Sequence, residues 1–512
     1  MVLETELKLR LPPNRNAAFR RWMAQHAAAA APVTEQLLSI YYDTPTLALA
    51  QRDIGLRLRR VGDHWLQTVK LGEQAGAGLH QRQELEAEVS GEALELERIT
   101  DRKTRQLLTQ EDVASVLAPL FSTDIKRTRW IVRDPRGNIL EVCLDQGTIR
   151  AQGQSVKLNE VEIELKQGHV QAVFDLARQM ASTLPLIPDP QSKAERGYAL
   201  CRNAALPAAS KARLPPLRGK QTPHRALKMI VQETLRHLQA NVPGLLDHDD
   251  MECVHQARVA LRRLRSARKA FAPLTTGDEW QGIMTDVQWL ATLLGRVRDL
   301  DVFLGETLPG IEAALAPDAD FTPLKTALHG QRERCRREAH AAVISPRHDS
   351  VQLRLLAWLN QPAPRPKGKT VPLRDFARRA LQQRWRPFAR LARDWASLSL
   401  EQRHELRKRA KKLRYAAEFF SPLYPPKRVA RYLARLQALQ QILGEMNDSV
   451  AAQALLGQTL AKDAALQHAG GLVAGWLAHG AHQSERQLPG VLKRLQNTPA
   501  FWRRPDAAKR RR

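Results

Sequence analysis

Residues 4–10 read ETELKLR, and the order of their charges decides the fold of the first part of the chain. In an extended segment successive side chains point to opposite faces, so Glu4, Glu6, Lys8 and Arg10 share one face and Thr5, Leu7 and Leu9 the other. A single strand of this kind is unremarkable, because antiparallel strands are often wet on one side. Here the pattern returns. Arg57 and Arg59, then Lys70, then Arg82 with Glu84, Glu86 and Glu88, each stand on one strand face opposite a largely apolar one. Arg127 and Arg129, Glu141 and Asp145, and Glu160, Glu162, Glu164 and Lys166 follow the same rule.

Seven alternating runs with turn residues between them predict an antiparallel sheet or barrel over residues 1–203, with helices near 14–31 and 168–184. If the charged faces meet inside a closed barrel, both signs are needed to avoid uncompensated buried charge. Such a lumen suits one ligand class. Acids hold a hard divalent cation through oxygen, while Lys and Arg grip phosphate oxygens, Arg bidentately.

The chain has 512 residues, too many for one core of ordinary size, and a formal net charge of +27. Residues 1–206 hold 27 Lys and Arg against 26 Asp and Glu; the remainder holds 53 against 27 and so carries nearly all the excess. A polyanionic partner is expected for that second half: nucleic acid, anionic lipid or inorganic polyphosphate. Cys143, Cys201, Cys253 and Cys335 show neither CxxC spacing nor nearby His pairs, which argues against a zinc site or a disulfide framework and for a reducing cytoplasm. The N-terminus has no apolar leader and no run of eighteen apolar residues occurs, so a non-secreted protein without membrane spans is expected.

Residues 204–221, rich in Pro, Ala and Lys, read as a linker, and helical composition dominates beyond them. Two copies of a helical unit are visible, at about 222–345 and 371–500. HQARVALRRLRSARKAF at 255–271 matches HELRKRAKKLRYAAEFF at 404–420, and LGRVRDLDV at 294–302 matches LGEMNDSVA at 443–451, both at an offset of 149 residues. QPAPRPKGKT at 361–370 connects the copies, and 501–512 form a basic tail. In the first copy His255, Arg258, Arg262, Arg265 and Lys269 line one helical face; His404, Arg407, Lys411 and Arg414 repeat it in the second. A merely solvated face has no need to keep these residue types at equal intervals twice.

Glu4, Glu6 and Lys8 form an ExExK motif, followed in order by IYYDTP (40–45), GLRLR (55–59), LQTVK (66–70), GLHQR (78–82), LDQG (144–147), EIEL (162–165) and SKAERGY (192–198). This ordered set resembles the CYTH family, the triphosphate tunnel metalloenzymes. The resemblance implies an eight-stranded antiparallel β tunnel with flanking helices that binds a linear triphosphate with Mg²⁺ or Mn²⁺. Glu4, Glu6, Glu162 and Glu164 would hold the metal or position its water, with Asp145 contributing to a metal site or orienting a base. Lys8, Arg57, Arg59, Lys70, Arg127 and Lys193 would contact phosphate, with Arg82 and Arg129 as further contacts. The catalytic set would be Glu4, Glu6, Lys8, Glu162 and Glu164, and the general base is left open between Glu162, Glu164 and a lysine.

The repeats resemble the CHAD family over about 222–500, which implies an all-α domain of two four-helix bundles and inorganic polyphosphate binding through His255, Arg258, Arg262, Arg265, His404, Arg407, Lys411 and Arg414. The fusion resembles the bacterial inorganic triphosphatases. The expected function is therefore hydrolysis of inorganic triphosphate to pyrophosphate and phosphate in the cytoplasm, at polyphosphate granules. A polyphosphate-binding adaptor without turnover, an adenylate cyclase of class IV type and a thiamine triphosphatase are the alternatives. Nonspecific nucleic-acid binding stays open on charge alone, although the 27 aromatic residues show no stacking platform.

Overall fold

The computed structural model describes residues 2–27, 31–72, 78–202, 209–247, 250–315, 319–363, 371–459 and 464–503; the side chains of 2–3, 82, 247, 400, 447–459 and 464–465 lie outside that description. So do most of the 361–370 connection, the end of the tail beyond 503, and the Arg82 side chain. The chain divides into two compact units. One is Met1–Ala208 with Ile344–Pro362, and the other is Ala209–Val343 with Ala363–Arg512.

In the first unit the alternating segments form β1 (Val2–Arg10), β2 (Val33–Asp43), β3 (Ile54–Val61), β4 (His64–Leu71), β5 (Leu79–Val89), β6 (Ala118–Arg133), β7 (Ile139–Ala151), β8 (Gln154–Gln167) and the short β9 (Ile187–Pro188). Between and after them lie α1 (Asn16–His26), α2 (Arg102–Leu108), α3 (Glu111–Ala114), α4 (Gln171–Ala181) and α5 (Lys193–Cys201). The helices expected near 14–31 and 168–184 are α1 and α4, each shorter than the sequence pattern.

All pairings are antiparallel. The first half of β1 pairs with β5 and the second half with β8, the two overlapping at Glu6 and Leu7, so the order β5-β4-β3-β2-β6-β7-β8-β1 closes into a ring of eight strands. Closure leaves the ring without a free edge. The apolar side of each strand faces outward under the helices: Leu7, Leu9, Leu56, Leu58, Val161 and Ile163 are fully buried. The charged side faces the lumen.

α5 fills one end of the ring. Tyr41, Phe121, Ile149, Leu158, Tyr198 and Cys201 form an apolar plug there. The approach is close enough that a Cβ on Gly197 would lie 2.2 Å from the Phe121 ring, which explains the glycine of SKAERGY. The Tyr198 hydroxyl donates to Asp43 (3.0 Å), whose carboxylate also accepts the amides of Thr44, Leu49 and Ala50 after β2. A capping box between Ser192 and Glu195 fixes the first turn of α5, and with it Lys193.

The second unit is helical: α6 (Pro223–Asp247), α7 (Met251–Ala270), α8 (Asp278–Val302), α9 (Leu308–Leu315) and α10 (Thr322–Val343), then, after α11 (Pro346–Asn360), α12 (Leu373–Arg393), α13 (Leu400–Phe420), α14 (Pro426–Thr459) and α15 (Ala464–Gln496). Helices α6, α7, α8 and α10 recur as α12, α13, α14 and α15 at the spacing of the sequence repeat. The N-caps Asp250 of α7 and Ser399 of α13 stand 149 residues apart, each with its side-chain oxygen on the backbone amides of its helix. Linker residues 209–221 carry no helix or strand but are tied down: Ser210 N–H donates to Asn241 Oδ1 (3.0 Å) and Leu217 is buried. Phe501 and Trp502, at the head of the expected tail, are buried against Tyr432.

Helix α11 lies between the repeats in sequence yet belongs to the sheet unit, where it packs on α4 and β9. Its Asp349 is fully buried, neither carboxylate oxygen has a hydrogen-bond partner among the described residues, and burial pushes the carboxyl up to about 8, with Arg10 opposing. The folded state thus keeps a proton that the unfolded chain gives up near pH 4, and stability falls between pH 4 and 8 by up to about 1.4 kcal/mol per pH unit. Asp349→Asn is expected to raise the unfolding free energy at pH 8 and to leave it nearly unchanged at pH 4, as read from urea melts at both pH values.

Candidate functional site

The lumen is a cavity of about 350 Å³. Around the ring its lining falls into two contiguous walls. Strands β4, β3, β2 and β6 supply Lys70, Arg57, Arg59, Tyr41, Arg127 and Arg129, whereas β7, β8, β1 and β5 supply Glu141, Glu162, Glu164, Glu4, Glu6, Glu84 and Glu86. The exceptions are Lys8 and Lys166 on the acidic wall and Glu35 on the basic one. Lys193 enters from the first turn of α5. It is an N-terminal helical residue and 7% exposed.

The floor is an ion-pair network. Lys193 Nζ lies 2.7 Å from both Asp145 and Glu162 and also bonds Glu160. Arg127 grips Asp145 bidentately (2.7 and 2.6 Å) and reaches Glu162. Lys8 bonds Glu162 and lies 2.8 Å from Glu6. Burial works against the Glu162 carboxylate, but Lys193, Lys8 and Arg127 outweigh it and hold its pKa well below the usual range. Burial likewise opposes the Lys8 ammonium, and Glu162, Glu6 and Glu160 outweigh it and hold it well above its ordinary value.

Nearer the opening the balance is looser. Lys70 donates to Glu4 (2.9 Å), Arg57 to Glu84 (3.0 Å) and Arg59 to the Ser39 hydroxyl (3.1 Å). Burial, with Arg57 and Arg127 nearby, lowers the Arg59 guanidinium to about 10. Across the lumen burial, with Glu4 and Glu141 nearby, raises the Glu164 carboxyl in spite of Lys166 at 2.8 Å. Each wall therefore carries charge of one sign in excess of what its own partners relieve. That is the electrostatic requirement for a ligand that brings anionic oxygens to one wall and a cation to the other.

The lumen brings together Glu4, Glu6, Lys8, Arg57, Arg59, Lys70, Arg127, Arg129, Glu162, Glu164 and Lys193. Asp145 lies beneath it, fully buried, where with Glu160 and Glu162 it forms a cluster of carboxylates within 4.8 Å of one another. The fold adds Tyr41, whose phenol is pulled down by Arg57, Arg59, Lys70 and Lys193 against burial, and Glu84. Tyr41 carried no chemical signal in the sequence because its neighbours are aromatic and aliphatic. Glu84 was read on a charged strand face with Arg82, Glu86 and Glu88, but no family motif singled it out as a site residue.

In the helical unit α7 packs against α13, which sets the two basic faces side by side. Arg258 donates to Gly295 O and Asp299, both at 2.8 Å, and Arg298 pairs with Glu306 (3.1 Å). Burial, with Arg258 and Arg414 opposing Tyr415 and Glu418, lowers the Arg262 guanidinium. Burial, with Arg265 and Lys412, lowers Lys269. Burial and then Arg298 keep His255 below its ordinary value. Basic groups from both helices thus depress one another, because the carboxylates at this face, Asp299, Glu306 and Glu418, are fewer than the cations.

Family profiles described as CYTH domain and CHAD domain match residues 3–198 and 229–457. The chain carries a CYTH domain followed by a CHAD domain. It is 34% identical over 204 residues to an inorganic triphosphatase of Haemophilus influenzae, a match that spans 39% of this chain and 55% of that relative. An uncharacterised protein of Mycobacterium tuberculosis is 28% identical over 501 residues, covering 90% of each chain. Among solved structures, the CHAD domain of the plant Ricinus communis is 30% identical with a TM-score of 0.52, covering 57% of this chain and 98% of that one. No described helix is long and apolar enough to cross a membrane.

Removing the Lys193 ammonium takes away the cation that three buried carboxylates share. Lys193→Met is expected to cost about 3–5 kcal/mol of stability at pH 7 and less at pH 4, where the acids can take up protons. Denaturant melts of the two proteins at both pH values measure the difference.

Proposed function

We propose that the CYTH lumen hydrolyses inorganic triphosphate to pyrophosphate and phosphate with Mg²⁺ or Mn²⁺, and that the paired basic faces of the CHAD domain bind inorganic polyphosphate. The observation that carries the first part is the division of one small lumen into a basic and an acidic wall. Arg57, Arg59, Lys70, Arg127 and Arg129 would take the phosphate oxygens from one side, with Lys8, Lys193 and Arg82 completing the grip. Arginine suits this work through bidentate donation.

The acidic wall fits a hard divalent cation. Its acceptor atoms are carboxylate oxygens, and Glu164, raised by burial and by Glu4 and Glu141 in spite of Lys166, marks charge that a cation would relieve. Glu4, Glu6 and Glu164 would hold the ion with Glu162 at the floor, and the ion when bound neutralises charge on the transferring phosphoryl group. Asp145, occupied by Arg127 and Lys193, orients those two cations. Of Glu162 and Glu164, Glu164 is the better proton acceptor for the attacking water, since Glu162 is held ionised by three cations. The water adds to the terminal phosphorus, its proton goes to the carboxylate, and pyrophosphate leaves into the basic wall.

The similarity to the Haemophilus influenzae triphosphatase supports this substrate over a nucleotide or thiamine triphosphate. The CHAD match and the charge excess of the second half support polyphosphate, which would hold the enzyme where its substrates accumulate, in the cytoplasm at polyphosphate granules. Purified protein is expected to release phosphate from triphosphate only with Mg²⁺ or Mn²⁺, and Glu4→Gln, which keeps the bond from Lys70, to lower the rate by about 100-fold with the melting temperature unchanged. Absence of release from the folded protein with either metal would contradict hydrolysis and favour a binding-only tunnel.

A further inference from the structure

The end of the described chain is anchored into the second repeat. Trp502 is 2% exposed and its Nε1 donates to Gln382 Oε1 on α12 (3.3 Å); Phe501 and Trp502 pack edge-on against Tyr432. This anchoring places Arg503 with its guanidinium 4.0 Å over the Trp385 ring, beside the outer face of α12. That helix buries Leu373, Ala377, Ala380, Leu381 and Phe388 and leaves arginines on its other side.

Two adjoining clefts result. One, of about 510 Å³, is lined by Arg378, Arg379, Arg386 and Arg503 with Gln382 and Gln383. The other, of about 360 Å³, shares Arg378 and Arg503 and adds Arg374, Arg428 and Tyr424. Six arginines face these clefts and one carboxylate does, Asp375, which lies 3.5 Å from Arg378. Arg379, Arg386 and Arg428 have no ion pair among the described residues. The Tyr424 hydroxyl is buried and lacks a hydrogen-bond partner there, beneath the Arg374 guanidinium 5.8 Å from its ring. Arg503 and Arg374 sit over aromatic rings and Arg378 lies near Asp375, but Arg379, Arg386, Arg428 and the Tyr424 hydroxyl gain nothing from their neighbours among the described residues, while like charges at close range repel and a buried unpaired hydroxyl costs stability.

We propose that this pair of clefts is a second anion site for linear inorganic polyphosphate, separate from the face formed by α7 and α13. It extends the polyphosphate reading of the CHAD domain to other residues. From Arg374 to Arg386 the helix runs about 18 Å, which fits several consecutive phosphates better than a single ion. The arginines supply bidentate donors and Tyr424 one further O–H. Nucleic acid fits less well. Phe501 and Trp502 are buried, Trp385 is covered by Arg503 and Tyr424 by Arg374, so none of these described rings is open for a base to stack on.

The test is calorimetric titration of the full chain with polyphosphate of defined length, with chelator present to stop turnover. The parent, Arg262→Glu/Arg414→Glu, Arg378→Ala/Arg386→Ala and the combined variant are compared. The α12 pair is expected to weaken binding by about tenfold in the background of the α7–α13 pair, and Tyr424→Phe to weaken it less in the same direction, with unchanged circular dichroism. If Arg378→Ala/Arg386→Ala and Tyr424→Phe bind as their background does while the α7–α13 pair loses binding, the second site falls and the first stands. If neither set changes binding, both fall. An oligoribonucleotide of equal charge that competes as well as polyphosphate for the α12 site would also overturn the assignment.

Discussion

Everything in the CYTH unit depends on β1 being hydrogen-bonded along both edges. Because its first half pairs with β5 and its second half with β8, eight alternating strands must close, and closure turns their charged faces inward. Once inside, those charges are tolerable only in compensated arrangements. The ring order meets this by setting four basic strands against four acidic ones and by sending Lys8 and Lys193 into the acidic side. The network around Asp145, Glu160 and Glu162 is therefore a folding requirement as much as a piece of the site, and the looser charges toward the opening are what remains for a ligand.

Much of this was legible in the residues. The period-two alternation of ETELKLR and its successors shows which side chains share a face; alternation alone left a sheet or a barrel, and the closed eight-stranded lumen was implied by the resemblance to the CYTH family. The walls were not legible, because which strands neighbour each other is set by pairing, and residues as distant as Lys8 and Glu162 meet only through register. Lys193 illustrates the same limit. Its burial depends on α5 plugging the ring, which in turn depends on Gly197 passing close to Phe121 and on Tyr198 reaching Asp43.

The helical unit shows the converse. Its internal repeat fixes four corresponding pairs of helices, and the basic residues at matching positions come to lie on the packed pair α7 and α13. Two features have no sequence signature. Helix α11 stands between the repeats but is built into the sheet unit, since its apolar residues are indistinguishable in composition from those of a bundle helix. The aromatic residues Phe501 and Trp502 at the head of the expected basic tail are an anchor, which a reading of charge density alone passes over.

The most direct test of the two-walled lumen is a crystal structure with a non-hydrolysable triphosphate and Mn²⁺, the ion located by its anomalous scattering. The account predicts the ion on the acidic wall among Glu4, Glu6 and Glu164, with phosphate oxygens on Arg57, Arg59 and Lys70. An ion bound on the basic side, or a triphosphate seated outside the ring, would contradict it.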